Sequence, residues 1–191
     1  MASNIENVLN SLKQAKLLPS KLIKEDFIPT VDLSVTFSAK PLKHGNLFRV
    51  SEVKSEPTIS FAAPVSHTYT LLLVDPDAPT PDDPKFAYWR HWIVSGIKTS
   101  PSPEDNSNSV DTGTTLTQYL APGVKDESAP HRYMFLLYQE PPNLSLSKSD
   151  VGGEEFVERR SFKADEWVRQ HGFELVGVNW MTGAGDGWKE G

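Results

Sequence analysis

The 191-residue chain contains no cysteine, which excludes a disulfide framework, a thiolate nucleophile and a cysteine-ligated zinc site. It has no apolar run approaching the roughly 20 residues that span a bilayer, so no transmembrane segment is expected. It also lacks any cluster of Lys and Arg of the kind that follows a nucleic-acid backbone, and 19 basic against 25 acidic residues leave a formal net charge of −6. Nucleic acid is therefore not an expected partner. No internal repeat or composition shift divides the sequence, which predicts one domain over residues 1–191. The amino terminus is polar and leads into an amphipathic stretch rather than the apolar core of a secretory signal, so a cytoplasmic location is the default expectation.

Proline is plentiful instead, with 15 residues beside 12 glycines. Because proline cannot donate inside a helix or a central strand, this spread predicts short strands joined by loops. Alternation of apolar and polar residues predicts a half-buried strand over 32–37 and a short one over 58–61. Near-continuous apolar runs over 69–74, 91–97 and 132–138 predict central strands covered on both faces, and 173–180 adds another strand. Ser3 and Glu6 form a capping-box pattern ahead of Val8, Leu9 and Leu12 at helical spacing. That helix, within residues 1–18, either packs on the domain or serves as a detachable arm for a partner. Ser161 as N-cap, Asp165 and Glu166 in a first turn and Gly172 beyond the last turn predict a second helix. Residues 99–117 and 141–155 are polar loops by composition, the first expected to be mobile, and the glycine-rich tail 183–191 is expected to be loose.

The segment Asp75-Pro76-Asp77-Ala78-Pro79 ends an apolar strand with two carboxylates interleaved with prolines. Such a sequence cannot continue a ladder and predicts a rigid turn, with Ala78–Pro79 a candidate cis bond. His91 and His131 each stand at the mouth of another apolar strand. If these strands are neighbours, their ends bring Asp75, His91 and His131 to one sheet edge. Three chemistries are open to that set. A zinc or non-haem iron site would suit imidazole and carboxylate, but closely spaced ligand pairs are missing. Acid–base catalysis by a histidine oriented by Asp75 is a second, without a Gly-x-Ser-x-Gly elbow to supply a nucleophile. The third is an anion pocket of charged histidines and backbone amides, with Gly123 allowing close approach and affinity expected to fade as the histidines deprotonate.

The residues Asp75-Pro-Asp-Ala-Pro79, then Trp89 and His91-Trp-Ile-Val, then Pro130-His-Arg-Tyr-Met-Phe-Leu-Leu-Tyr138 resemble the two signature blocks of the phosphatidylethanolamine-binding protein family, also called the Raf-kinase-inhibitor-protein family. Their order and the gaps of 16 residues from Asp75 to His91 and 40 from His91 to His131 fit that family, over about residues 22–180. The amino-terminal helix and the 27–61 region resemble its fungal carboxypeptidase Y inhibitor branch. The resemblance implies a mainly β, sandwich-like fold with a large central antiparallel sheet, a smaller second sheet and flanking helices. It implies a pocket for phosphate or a phospholipid headgroup, needing neither metal nor cofactor and compatible with peripheral membrane contact. Carried over by position, Asp75, His91 and His131 are polar pocket residues, Asp77 and Pro79 shape the turn, Trp89 and Tyr133 are pocket-side aromatics, and Gly123 offers its amide. Two departures stand out: Val124-Lys125, followed by Asp126-Glu127, replaces a Pro-Pro pair, and Phe86 stands where tyrosine is usual. No counterpart of the animal carboxy-terminal helix is evident, which predicts an open pocket mouth. The implied function is a non-enzymatic binding protein that regulates a partner such as a serine carboxypeptidase. The alternative is an enzyme, or enzyme accessory, using Asp75, His91 and His131 on an anionic small molecule of a fungal biosynthetic pathway.

Overall fold

The computed structural model describes residues 2–99 and 109–190, with residues 2–4 described by their backbone alone. Two sheets carry the fold. The smaller has the order β2-β1-β4, from strands β1 (Ser34–Phe37), β2 (Lys40–Pro41) and β4 (Thr58–Ser60). The larger has the order β3-β9-β8-β5-β6-β7, from β3 (Leu47–Arg49), β5 (Tyr69–Asp75), β6 (Trp89–Ile97), β7 (Thr114–Thr117), β8 (His131–Gln139) and β9 (Glu174–Ala184). All pairs are antiparallel except the edge pair β3–β9, which is parallel, so the large central sheet is antiparallel as expected.

The apolar runs of β5, β6 and β8 follow from two layers of packing. One set of side chains, including Leu71, Leu73, Trp92, Phe135 and Leu137, meets Val35, Phe37 and Ile59 of the smaller sheet. The alternate set, including Leu72, Val74, Ile93, Met134 and Leu136, lies beneath helices α1 (Ala2–Gln14) and α2 (Ala164–Gln170). A strand with both faces covered gains by being apolar at every position, and every residue of β5 is buried.

Helix α1 buries Val8 and Leu12, and the chain beyond it buries Leu17 and Leu18, so this segment is a packed element rather than a loose arm. Its proposed capping residue Ser3 lies outside the residues whose side chains are described. Helix α2 starts later than its sequence suggests: Lys163 is the N-cap, while Ser161 sits at φ 51° and donates its amide to Phe86 O at 3.0 Å. Asp165 and Glu166 do occupy the first turn. The bonds Leu18–Pro19, Ala78–Pro79 and Ala87–Tyr88 are cis.

Two loop expectations need correction. Residues 100–108 lie outside the described residues, but Thr114–Thr117 forms edge strand β7, because Thr115 and Thr117 pair with Val94 and Ile93. Three threonines around the single Leu116 give little apolar signal, although β-branched residues suit an edge strand. The tail is not loose either: β9 runs on to Ala184, and Arg49 donates to the carbonyls of Gly185 and Trp188 at 2.8 Å each. Asp186 accepts from Ser51 N at 3.1 Å and Asp126 accepts from Gly187 N at 2.9 Å. A Cβ on Gly185 would come within 2.1 Å of Asp126 Oδ1, so the glycines serve close approach rather than mobility. Truncating the chain after Ala184 should cost about 2 kcal/mol, or roughly 4–8 °C in thermal unfolding, through these lost bonds. An unchanged midpoint would return the tail to the loose state its composition suggests.

Candidate functional site

Antiparallel pairing places the C-terminal end of β5 beside the N-terminal ends of β6 and β8. Asp75 pairs with Trp89, and Val74 pairs with Met134 three residues after His131. Asp75, His91 and His131 therefore meet at one sheet edge, around a cavity of about 610 Å³. A β-bulge contributes: Leu73 pairs with Trp92 and Val74 with Arg90, which leaves His91 as the extra residue. A bulge re-aims the side chain it carries, and His91 lines the cavity.

Asp75 is buried and both its oxygens are engaged. Oδ1 accepts from Asp77 N at 2.6 Å, and Oδ2 faces His131 Nδ1 at 2.8 Å. The other ring nitrogen of His131 faces Ser128 Oγ at 3.2 Å, whose hydroxyl donates to Ala129 O at 2.9 Å. A hydroxyl has one proton, so with that proton on Ala129 O it is His131 that donates to Ser128. This polarity is the reverse of an activated Ser-His-Asp nucleophile, in which the serine gives its proton to the histidine.

His91 differs from its neighbour. Its Nδ1 donates to Leu120 O at 2.6 Å, which leaves Nε2 as the acceptor, without a protein partner among the described residues. Burial lowers its pKa below the ordinary 6.5, against the opposing pull of Asp75 and the Leu120 carbonyl, with Arg159 and His131 reinforcing the fall. The expected loss of anion affinity as the histidines deprotonate is therefore displaced to lower pH for His91, whose charged form burial disfavours. Tyr133 lies between the two, stacked on His131 at 6.3 Å and edge-on to His91 at 5.2 Å. Burial, followed by the charges of Asp75 and Asp77, pushes its phenol pKa well up, so it stays protonated.

Of the remaining candidates, Pro79, Phe86, Trp89 and Gly123 line the cavity and Asp77 does not. Asp77 is a clamp: Oδ2 accepts from Arg132 N at 2.7 Å and Nε at 2.9 Å, and Oδ1 from Nη2 at 2.5 Å. Arg132 also donates to Ala15 O just beyond α1 at 2.7 Å, joining the helix to the turn. A Cβ on Gly123 would meet nothing within 4 Å, so protein packing does not require glycine there. In the loop departing from the family pattern, Val124, Lys125 and Glu127 line the cavity while Asp126 holds the tail.

Residues 151–160 supply a wall that the sequence did not reveal. Buried Arg90 donates to the carbonyls of Val151 and Gly153, and buried Arg159 to those of Glu154, His91 and Gln118. Burial and nearby Arg159 pull the Arg90 pKa down to about 10. Held this way, the segment brings Phe156 against Trp89 at 4.7 Å and Arg160 over the Phe86 ring at 4.5 Å. Neither residue lies in an apolar run, and only the i, i+4 spacing of an aromatic and a cation hints at a shared face. Among the described residues no three His, Asp or Glu side chains are grouped as a metal site.

The family model for phosphatidylethanolamine-binding protein matches residues 26–180. A Plasmodium falciparum relative carrying the same family description is 28% identical over 183 residues, covering 90% of this chain and 95% of the relative. The solved phosphatidylethanolamine-binding protein from Plasmodium vivax superposes with a TM-score of 0.73 at 26% identity, covering 93% of this chain and 97% of that one. A carboxypeptidase Y inhibitor, solved in complex with its cognate proteinase, gives a TM-score of 0.78 at 21% identity over 95% of this chain and 97% of that one.

Two measurements test this geometry. Asp77→Ala strands a half-buried guanidinium and an amide, and should cost about 3 kcal/mol in urea denaturation. For His91 the unfolded ring takes up a proton near its ordinary 6.5 that the native ring resists, so stability is full above about pH 6.5 and falls as pH drops through the lower native value. Thermal scans from about pH 7 to pH 5 should fall less steeply in His91→Asn than in the parent protein, and equal slopes would remove His91 as the cause.

Proposed function

Because the chain belongs to the phosphatidylethanolamine-binding protein family, we propose that its cavity binds a small anion, either free phosphate or the phosphorylated headgroup of a lipid, and that the protein acts by regulating a partner rather than by catalysis. The observation that carries this reading is the convergence of Asp75, His91 and His131 with the Gly123 loop around one cavity at the sheet edge. Asp75 engages His131 through Nδ1 and fixes that ring, whose Nε2 proton would pass from Ser128 Oγ to an arriving anion. No helix among the described residues is long and apolar enough to cross a membrane, so headgroup contact would be peripheral.

A serine carboxypeptidase is the proposed partner, supported by the fold shared with a carboxypeptidase Y inhibitor. Helix α1 packs its apolar face into the domain and leaves Glu6, Asn7, Asn10 and Lys13 exposed, so a partner would meet this polar face. A second reading, acid–base work on an anionic small molecule, draws on the Asp75–His131 pair within the cavity.

His131→Gln should weaken phosphate binding at least about tenfold in calorimetry, equivalent to about 1.4 kcal/mol. No loss in a folded variant would end the anion-pocket reading. For the partner, the protein should slow a serine carboxypeptidase, and the pair Glu6→Lys and Lys13→Glu should relieve inhibition without lowering the unfolding midpoint. Absence of inhibition by the parent protein rejects the carboxypeptidase.

A further inference from the structure

The cavity is far larger than a phosphate. A volume of about 610 Å³ corresponds to on the order of twenty waters and falls within the range of sites for drug-sized ligands. A tetrahedral anion beside His131 would leave most of it unfilled. The remaining wall is apolar and aromatic, built from Phe86, Trp89, Phe156 and Val124. Phe156 is 61% exposed, an unusual state for a large side chain already set edge-on against a tryptophan.

Charge is arranged unevenly over this wall. Asp75 is already engaged, with Oδ2 facing His131 Nδ1 and Oδ1 accepting from Asp77 N. Burial disfavours the charged form of His91, and Lys125 and Glu127 oppose each other at the exposed rim. The Arg160 guanidinium is different: it lies over Phe86 at 4.5 Å, Trp89 at 5.7 Å and Phe156 at 5.9 Å, with no carboxylate partner among the described residues. A guanidinium held over rings presents its edge to a planar anion, here through the terminal nitrogens, since Arg160 Nε is buried without a hydrogen-bond partner among the described residues.

Building on the small-anion reading above, we propose that the ligand of this cavity is a carboxylate on a flat, unsaturated or aromatic carbon body, its charge met by Arg160 and its body held against Phe86, Trp89 and Phe156. At the deep end His91 Nε2 accepts a hydrogen bond from a hydroxyl of the ligand or from a water. Phe86 contributes a ring without a hydroxyl, which suits an apolar body better than a phosphate oxygen.

The test is calorimetric titration of the full chain with four probes: trans-cinnamate, its neutral amide, acetate and inorganic phosphate. Cinnamate should bind at least tenfold more tightly than acetate or phosphate, and at least fivefold more tightly than the amide. Arg160→Gln should abolish the preference over the amide, Arg160→Lys should retain only part of it, and Phe156→Ala should weaken cinnamate while leaving phosphate unchanged. Unfolding midpoints in parallel identify variants that remain folded. Phosphate binding with cinnamate no tighter than acetate would overturn this proposal and leave the small-anion reading standing. Binding of none of the anions by the folded parent protein would overturn both. Cinnamate affinity unchanged in folded Arg160→Gln and Arg160→Lys proteins would remove Arg160 as its anchor and sink the proposal.

Discussion

A buried carboxylate at the meeting point of three strands governs the site. Asp75 ends β5, the strand flanked by β6 and β8, and burial there obliges both of its oxygens to find donors. One finds the Asp77 amide, which folds the Pro76–Pro79 turn back on the strand end. The other finds His131, which fixes that ring at the start of β8. The turn, the orientation of the histidine and the floor of the cavity are thus three consequences of one desolvated charge.

Around that point, arginines do the fastening. Arg132 uses Asp77 to hold the turn and Ala15 O to hold the end of α1, so the amino-terminal helix and the pocket turn share one side chain. Among the described residues Arg90 and Arg159 are buried without a salt-bridged carboxylate, and their donors go to backbone carbonyls of the 151–160 segment and β6 instead. A guanidinium with five donors in a fixed plane can satisfy several loop carbonyls at once, which explains how a polar, glycine-containing stretch holds a defined wall. The same segment presents Phe156 and Arg160, so anchoring and cavity lining belong to a single structural unit.

The tail and the 123–128 loop form a comparable unit. Asp126 binds the Gly187 amide while Val124 turns into the cavity and is buried, so the loop that differs from the family pattern is braced by residues far along the chain. Composition suggested a loose end, because glycine usually signals freedom. Here the glycines permit an approach that any Cβ would block, and Arg49 closes the segment from the other side.

Periodicity and punctuation sufficed for the central strands, because burial on both faces writes a continuous apolar run into β5, β6 and β8, and for the ends where Asp75, His91 and His131 stand. Residues 114–117 escaped notice because an edge strand of three threonines and one leucine carries little apolar signal, and Ser161 misled because N-cap residues also favour other turns. The sequence by itself determined which side chains could be buried and where strands must stop, since these are local matters of hydrophobicity and proline geometry. Only the tertiary structure decided that Asp77 clamps Arg132 rather than facing the cavity, that His91 rides on a bulge, and that Phe156 and Arg160 complete the wall. Those outcomes depend on pairing register and on contacts between residues tens of positions apart, which no local pattern encodes.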